Sequence, residues 1–286
     1  MSPPKVVESR SAVTSNSDEP CPLCSASTPK TIVVQLGPYR ILRCPRCTNA
    51  WTDPPCNLPD YESQYFGKDN VPGSDHEVRR TMGELHRQWQ KLIRKQLEIC
   101  QKIIPPGGRT LDIGCGDGIF VEELGLRGFH SEGIEPSLDA STLAVQAGLR
   151  VVRGYFPHPE IKGPYDLVTL THVFEHVPDP RLTLRQISAV APGGYLMLTQ
   201  SNYRGVIPRT FLKRWYAWVP DSHFWHFTPR GLRQFLQSAG YEVQSIHEIS
   251  LVHTNRRHRY LVPILDLIPG LPDQFITVAR IPAAGL

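Results

Sequence analysis

Leu111-Asp112-Ile113-Gly114-Cys115-Gly116-Asp117-Gly118 is the stretch that decides the fold. Thr110 to Ile113 is an apolar run of strand length, and three glycines at alternate positions follow it. Glycine is needed where a chain turns sharply and where a ligand must approach the backbone with no side chain between. Asp117 to Leu126 then reads as a helix. A strand, a glycine turn and a helix open a ligand-binding α/β unit, and Asp112 stands at the carboxyl end of the strand, where open sheets hold their ligands. The spacing is G-x-G-x-G, not the G-x-G-x-x-G of a dinucleotide fingerprint. Glu135 ends the next apolar stretch, in Gly133-Ile134-Glu135-Pro136-Ser137, at a distance that suits a ribose-binding carboxylate.

On these residues the sequence resembles the class I S-adenosylmethionine-dependent methyltransferases, whose first motif is D-x-G-x-G-x-G. The resemblance implies a doubly wound, mostly parallel sheet of seven strands. It implies that Asp112 and the loop Gly114, Cys115, Gly116 and Gly118 hold the methionine end of the cofactor. Glu135 would bind the ribose hydroxyls, Pro136 and Ser137 would flank the adenine, and the backbone at Thr171 and His172 would meet the cofactor. A physical argument supports the role of Glu135, because two hydroxyls on one carboxylate make short, charge-assisted bonds. Gly154 and Tyr155 stand where the family usually places an adenine contact, but the usual acid is missing there.

The pattern after the loop agrees with such a sheet. Strands at Phe129–Ile134, Val151–Val152, Tyr165–Leu170 and Tyr195–Thr199 alternate with helices, which predicts parallel pairing. Ser137 is placed to cap one helix and Thr228 another that ends at Gly240. Tyr241–Ile249 and Gln274–Ile281 would close the sheet, the last strand antiparallel as in the family. Before the glycine loop, Val78, Met82, Leu85, Trp89, Leu92, Gln96, Ile99 and Ile103 recur at helical spacing. The other face of that helix is basic and reads as solvated.

At 286 residues and net charge +4 the chain can hold one large domain and a small appendage, with no demand for an anionic partner. No apolar run approaches the roughly 20 residues of a membrane span, and no signal pattern opens the chain, so a cytoplasmic location is expected. Residues 1–19 read as a disordered tail. Four of seven cysteines form two pairs, Cys21-Pro22-Leu23-Cys24 and Cys44-Pro45-Arg46-Cys47. Two such knuckles complete a tetrahedron around one zinc ion. Hairpin strands at Thr31–Gln35 and Tyr39–Arg43 lie between them, so residues 20–50 read as a zinc ribbon. A closed four-sulfur shell makes that zinc structural; unligated thiols or a redox pair are the alternatives. Cys56 has no partner spacing. The ribbon lacks a dense basic and aromatic surface, so a nucleic-acid partner is not expected. Residues 51–104 are a proline-punctuated connector and the amphipathic helix, and 105–286 the catalytic domain. The ribbon with the Trp51, Pro54-Pro55 and Tyr61-x-x-x-Tyr65-Phe66 run looks like a bacterial methyltransferase subgroup that carries such a ribbon.

Two histidine pairs mark the acceptor side: His172 and His176, with Glu175 between them, and His223 and His226. A hydroxyl acceptor must lose its proton, and histidine suits that at neutral pH. Here the chain is similar to the ubiquinone-biosynthesis O-methyltransferases, which have Glu-x-x-Glu-His after the fourth strand. His172 replaces the first acid, and His172, Glu175 and His176 are also a set able to hold a nitrogen-tolerant divalent metal. Residues 200–228, with Tyr203, Phe211, Trp215, Tyr216 and Trp218, read as a lid over the acceptor. Residues 250–272 read as an insertion, basic and then apolar. The expected reaction is methyl transfer to a small molecule, most readily at oxygen. A sugar C-methyltransferase, an RNA or protein methyltransferase and a catalytically silent cofactor-binding subunit are the alternatives.

Overall fold

The structure, a computed structural model, describes residues 14–15, 19–55, 83–250 and 266–283. The smaller of its two sheets begins at the amino end with β1 (Thr14–Ser15), β2 (Lys30–Leu36), β3 (Tyr39–Arg43) and β4 (Ala50–Asp53). All pairs are antiparallel. The β2–β3 hairpin turns at Gly37, whose φ of +57° lies in the region that only glycine enters freely. Within the 1–19 stretch, Thr14 and Ser15 are the strand residues described. They pair with Thr31 and Lys30 along the edge of β2. The Tyr61–Phe66 run, Cys56 and the basic part of the insertion lie outside the described residues.

The larger sheet contains β5 (Arg109–Ile113), β6 (His130–Glu135), β7 (Val151–Arg153), β8 (Leu167–Thr171) and β9 (Tyr195–Ser201). A two-residue strand, β10 (Trp225–His226), belongs to the smaller sheet, and β11 (Glu242–Ile249) and β12 (Gln274–Arg280) complete the larger one. Its order is β11-β12-β9-β8-β5-β6-β7. Only β12 runs against its neighbours, β11 and β9. The order reverses between β5 and β8, so the carboxyl ends of those two strands frame the ligand cleft.

Alternation along the strands builds two cores, one on each face. In β9, Leu196 and Leu198 join one cluster and Met197 the other; in β12, Phe275 and Ala279 oppose Ile276 and Val278. Helix α1 (Gly83–Ile103) covers the second face with Leu92, Ile93, Leu97 and Cys100, beside Phe120 and Leu124 of α2 (Ile119–Gly125). Helix α3 (Leu138–Gln146) is capped by Ser137, whose hydroxyl accepts from Ala140 N at 3.3 Å. Helix α4 (Pro180–Val190) starts at Asp179, which accepts from two amides of its first turn. A short α5 (Val206–Phe211) lies in the expected lid, and α6 (Pro229–Ser238) is capped by Thr228. Leu184 and Ile187 of α4 and Leu232, Phe235 and Leu236 of α6 fill the first core, together with Cys21, Leu23, Cys44 and Cys47 of the ribbon.

Candidate functional site

The glycine loop leaves β5 and crosses to β6: Gly114 N and Cys115 N both donate to Ile134 O, at 2.8 and 3.2 Å. Gly114, Gly116 and Gly118 have φ of +70°, +58° and +80°. A Cβ on Gly114 would lie 2.5 Å from Val173 Cγ2, and one on Gly118 2.5 Å from Leu149. Gly116 differs, because nothing lies within 4 Å of its missing Cβ. That open cradle is bounded by Glu135, whose Oε2 accepts from Gly116 N and whose Oε1 accepts from Ser137 N, both at 2.9 Å. Each oxygen keeps a further lone pair, so the carboxylate is fixed yet still able to accept two hydroxyls. Burial raises the Glu135 pKa, and the same two amides oppose the shift. Asp112 accepts from Thr169 Oγ1 at 2.6 Å and makes no ion pair among the described residues. Burial pushes its pKa up to about 7, against the Thr169 bond and with the Glu135 charge adding to it. Two buried acids without a cation and an open glycine fit a positively charged cofactor that carries a ribose.

Val173, in van der Waals reach of Gly114, links this loop to the histidine cluster. His172 has φ +55°, a strained value for a side chain of its size. Its Nδ1 lies 3.4 Å from Glu175 Oε1, and its ring meets the Trp89 ring edge-on at 5.9 Å. Glu175 is buried, and Gln200 Nε2 donates to its Oε2 at 2.9 Å. Burial alone would raise the Glu175 pKa; the hydrogen bond and charge of His172, with His176 and His223, hold it well below the carboxylate range. His176 Nδ1 lies 3.0 Å from Ser222 O, so that nitrogen is the protonated one when the ring is neutral. The His176 ring meets His223 at 4.5 Å, and His223 lies 6.0 Å from His226. Burial lowers the pKa of all three, that of His226 to about 3.

The two histidine pairs therefore form one cluster. Donor atoms of Glu175, His176 and His223 lie within 4.8 Å of one another, a group that takes His223 where the sequence offered His172. The Phe224 amide explains the convergence: it donates to Glu175 O at 3.0 Å and carries the second pair onto the first. Glu175, His223, His226, Gln200, Trp215 and Phe227 line an enclosed cavity of about 10 Å³, room for one water. The buried Nε1 of Trp215 has no hydrogen-bond partner among the described residues. A larger cleft of about 440 Å³ opens at the amino ends of β5 and β6, the end away from the glycine loop. Its one buried acid, Glu132, is already held by Arg109 and Arg150.

In the ribbon the two knuckles have the same build. Cys21 O and Cys44 O accept from Ser25 N and Thr48 N, and both of those residues adopt positive φ. Cys21 and Cys47 Sγ are 3.8 Å apart, Cys24 and Cys44 Sγ 3.7 Å. A tetrahedron with zinc–sulfur bonds of about 2.3 Å has edges of about 3.8 Å, so the four sulfurs fit one zinc ion. The Cys21 thiol is pulled down to about 5, chiefly because Cys47 donates to it. The knuckles sit on the larger domain: Arg181 donates to Leu23 O, Tyr203 to Thr48 O, and Thr228 N to Asn49 Oδ1.

Three contributors escaped the sequence reading. Gln96 donates to Thr171 Oγ1 at 2.7 Å and Thr199 Oγ1 at 2.9 Å, tying α1 to two strand ends. Its signal was a polar residue on the apolar face of that helix. Gln200, which holds Glu175, and Thr52, in β4, left no signal, because their partners are remote in sequence.

A family model described as a methyltransferase domain matches residues 82–246, more than half of the chain. An ubiquinone biosynthesis O-methyltransferase of Marinobacter nauticus is 30% identical over 171 residues, covering 52% of this chain and 69% of that protein. Its counterpart in Bordetella bronchiseptica is 34% identical over 138 residues, covering 45% and 55%. Among solved structures, a methyltransferase from Thermotoga maritima aligns with TM-score 0.52 and 18% identity, covering 72% of this chain and 99% of that one. Magnesium protoporphyrin IX methyltransferase from Synechocystis aligns with TM-score 0.51 and 16% identity, covering 78% and 93%, and shares the fold.

Proposed function

The chain belongs to the methyltransferase-domain family and is an S-adenosylmethionine-dependent methyltransferase, and from that premise we propose that it methylates a hydroxyl oxygen of a small molecule. The observation that carries the reading is the meeting of ionised Glu175 with His223, on the turn whose Val173 abuts Gly114. Bound in the cradle, S-adenosylmethionine supplies a methyl group already activated on its sulfonium. The chain then has to hold the cofactor, align the acceptor and remove one proton. Asp112 and Glu135 hold the cofactor, with Gly116 leaving room for it. His223, kept neutral by burial, takes the hydroxyl proton, and the Glu175 charge favours the imidazolium that forms. His176 packs against His223 and holds its ring; His172 fixes Glu175 from the cofactor side. The unpartnered Trp215 Nε1 is available to an acceptor oxygen. An acceptor enters only when the 200–228 segment moves, since the cavity holds one water. The O-methyltransferase relatives support oxygen as the methylated atom.

The test is transfer of labelled methyl to a panel of catechol, 3,4-dihydroxybenzoate and methyl glucoside, with the product read by carbon NMR. His223→Gln should lower kcat by about 10²-fold while S-adenosylmethionine binding stays within about twofold. Full turnover by His223→Gln would refute the base assignment, and a new methyl on carbon or nitrogen would refute oxygen as the target.

A further inference from the structure

Strand β4 carries the ribbon's sheet past its expected end at residue 50 and on to the histidine cluster. Strand β4 pairs with β10, with Trp51 opposite Trp225 and Ala50 opposite His226, so the segment carrying the second histidine pair is a strand of the ribbon's own sheet. Thr52, buried at 2% exposure, makes three bonds to it. Its amide donates to Phe224 O at 3.0 Å, its hydroxyl donates to His223 O at 2.5 Å, and its Oγ1 lies 3.1 Å from His226 Nε2. A threonine hydroxyl has one proton. A carbonyl only accepts, so that proton goes to His223 O, and Oγ1 must accept from His226. His226 is therefore protonated at Nε2, with its lone pair on Nδ1.

The same side of the ribbon carries the lid. Val34, Ile41 and Ala50 of β2, β3 and β4 form one buried cluster with Tyr203, Trp215 and Ala217. The Trp218 ring meets His226 edge-on at 5.0 Å. Phe224, gripped through its carbonyl by Thr52, donates its amide to Glu175 O, so the histidine segment is clamped between β4 and the Glu175 turn.

We propose that Thr52 is a positioning residue for methyl transfer: from the ribbon it sets the His223 backbone and fixes the ring and tautomer of His226 beside the acceptor. This rests on the reading of His223 as the base, and it gives the ribbon a part in the acceptor site beyond its own folding. Thr52 acts through the two histidines, so cofactor affinity should not depend on it.

The test uses the full, zinc-loaded chain labelled with nitrogen-15 in histidine. The wild type should show His226 as a neutral ring protonated at Nε2, with that proton protected from solvent exchange. Thr52→Val, which keeps the shape and loses the hydroxyl, should abolish the protection. It should also lower kcat for the best acceptor of the phenol and sugar panel about tenfold, a part of the roughly 10²–10⁴ that acid–base catalysis supplies. Binding of S-adenosylmethionine should stay within about twofold, and Thr52→Ser should restore both the signal and kcat. Three results would overturn the proposal: a wild-type His226 protonated at Nδ1, a Thr52→Val protein with unchanged His226 signal or unchanged kcat, or a serine variant as impaired as valine. The wild-type tautomer decides the matter even where the valine variant fails to fold. Failure of the base reading shows separately, as full turnover in His223→Gln.

Discussion

Replacing Asp112 by Asn should stabilise the cofactor-free protein in a pH-dependent way while destroying its cofactor site. Asp112 is 3% exposed and its pKa moves from 3.8 to about 7, with burial the main cause. The folded state thus holds this proton more tightly than the unfolded chain. Stability is complete below pH about 4 and is lost as pH rises towards 7. About three units correspond to about 4 kcal/mol at pH 8, and about 1.5 kcal/mol of that is already lost at pH 5. Asparagine escapes this penalty and still accepts from Thr169, but its amide brings new donors that cost about 1–3 kcal/mol if unmet. The amide term does not titrate, so it cancels when two pH values are compared. The variant's stability relative to wild type should therefore rise by about 2–3 kcal/mol between pH 5 and pH 8. Urea unfolding without cofactor, at both pH values, measures this directly. Calorimetric titration with S-adenosylmethionine should show affinity reduced at least about tenfold, because the buried negative charge is gone. A relative stability that is the same at pH 5 and pH 8 would refute the reasoning, and so would undiminished cofactor binding.

The glycine loop separates two kinds of damage. Gly114→Ala forces Cβ to 2.5 Å from Val173 at φ +70° and should cost about 2–4 kcal/mol by thermal unfolding, whereas Gly116→Ala, with open space around it, should cost about 1–2 kcal/mol yet still abolish cofactor binding. Gln96→Leu breaks the bonds to Thr171 and Thr199 and should lower the urea midpoint by the equivalent of about 1–3 kcal/mol. Cys44→Ser removes one of four sulfurs, so metal analysis should fall from about one zinc per chain to well below it. Exchange of the Thr48 and Thr228 amides should then accelerate, because the knuckle that holds them loosens.

Local chemistry was legible in the chain before any coordinates. The glycine loop, Glu135 and the helix caps at Ser137 and Thr228 act over a few residues, where spacing translates directly into geometry. The two cysteine knuckles are likewise local, and the parallel sheet follows from strands alternating with helices. What no spacing records is which surfaces meet. Glu175 and His223 are 48 positions apart, and Thr52 and His226 are 174 apart. Such pairs are joined only once β4 adopts β10 into its sheet and α4 and α6 seat the knuckles. For the same reason the ribbon read as an appendage. Its apolar positions alternate like those of any small antiparallel sheet, and that pattern shows that a face is buried without showing what buries it. Sequence determined the cofactor loop and the metal knuckles, because each is built within one turn of chain. Tertiary packing decided the cluster proposed to receive the acceptor, because its members come from separate elements and are held together by the contact between two sheets.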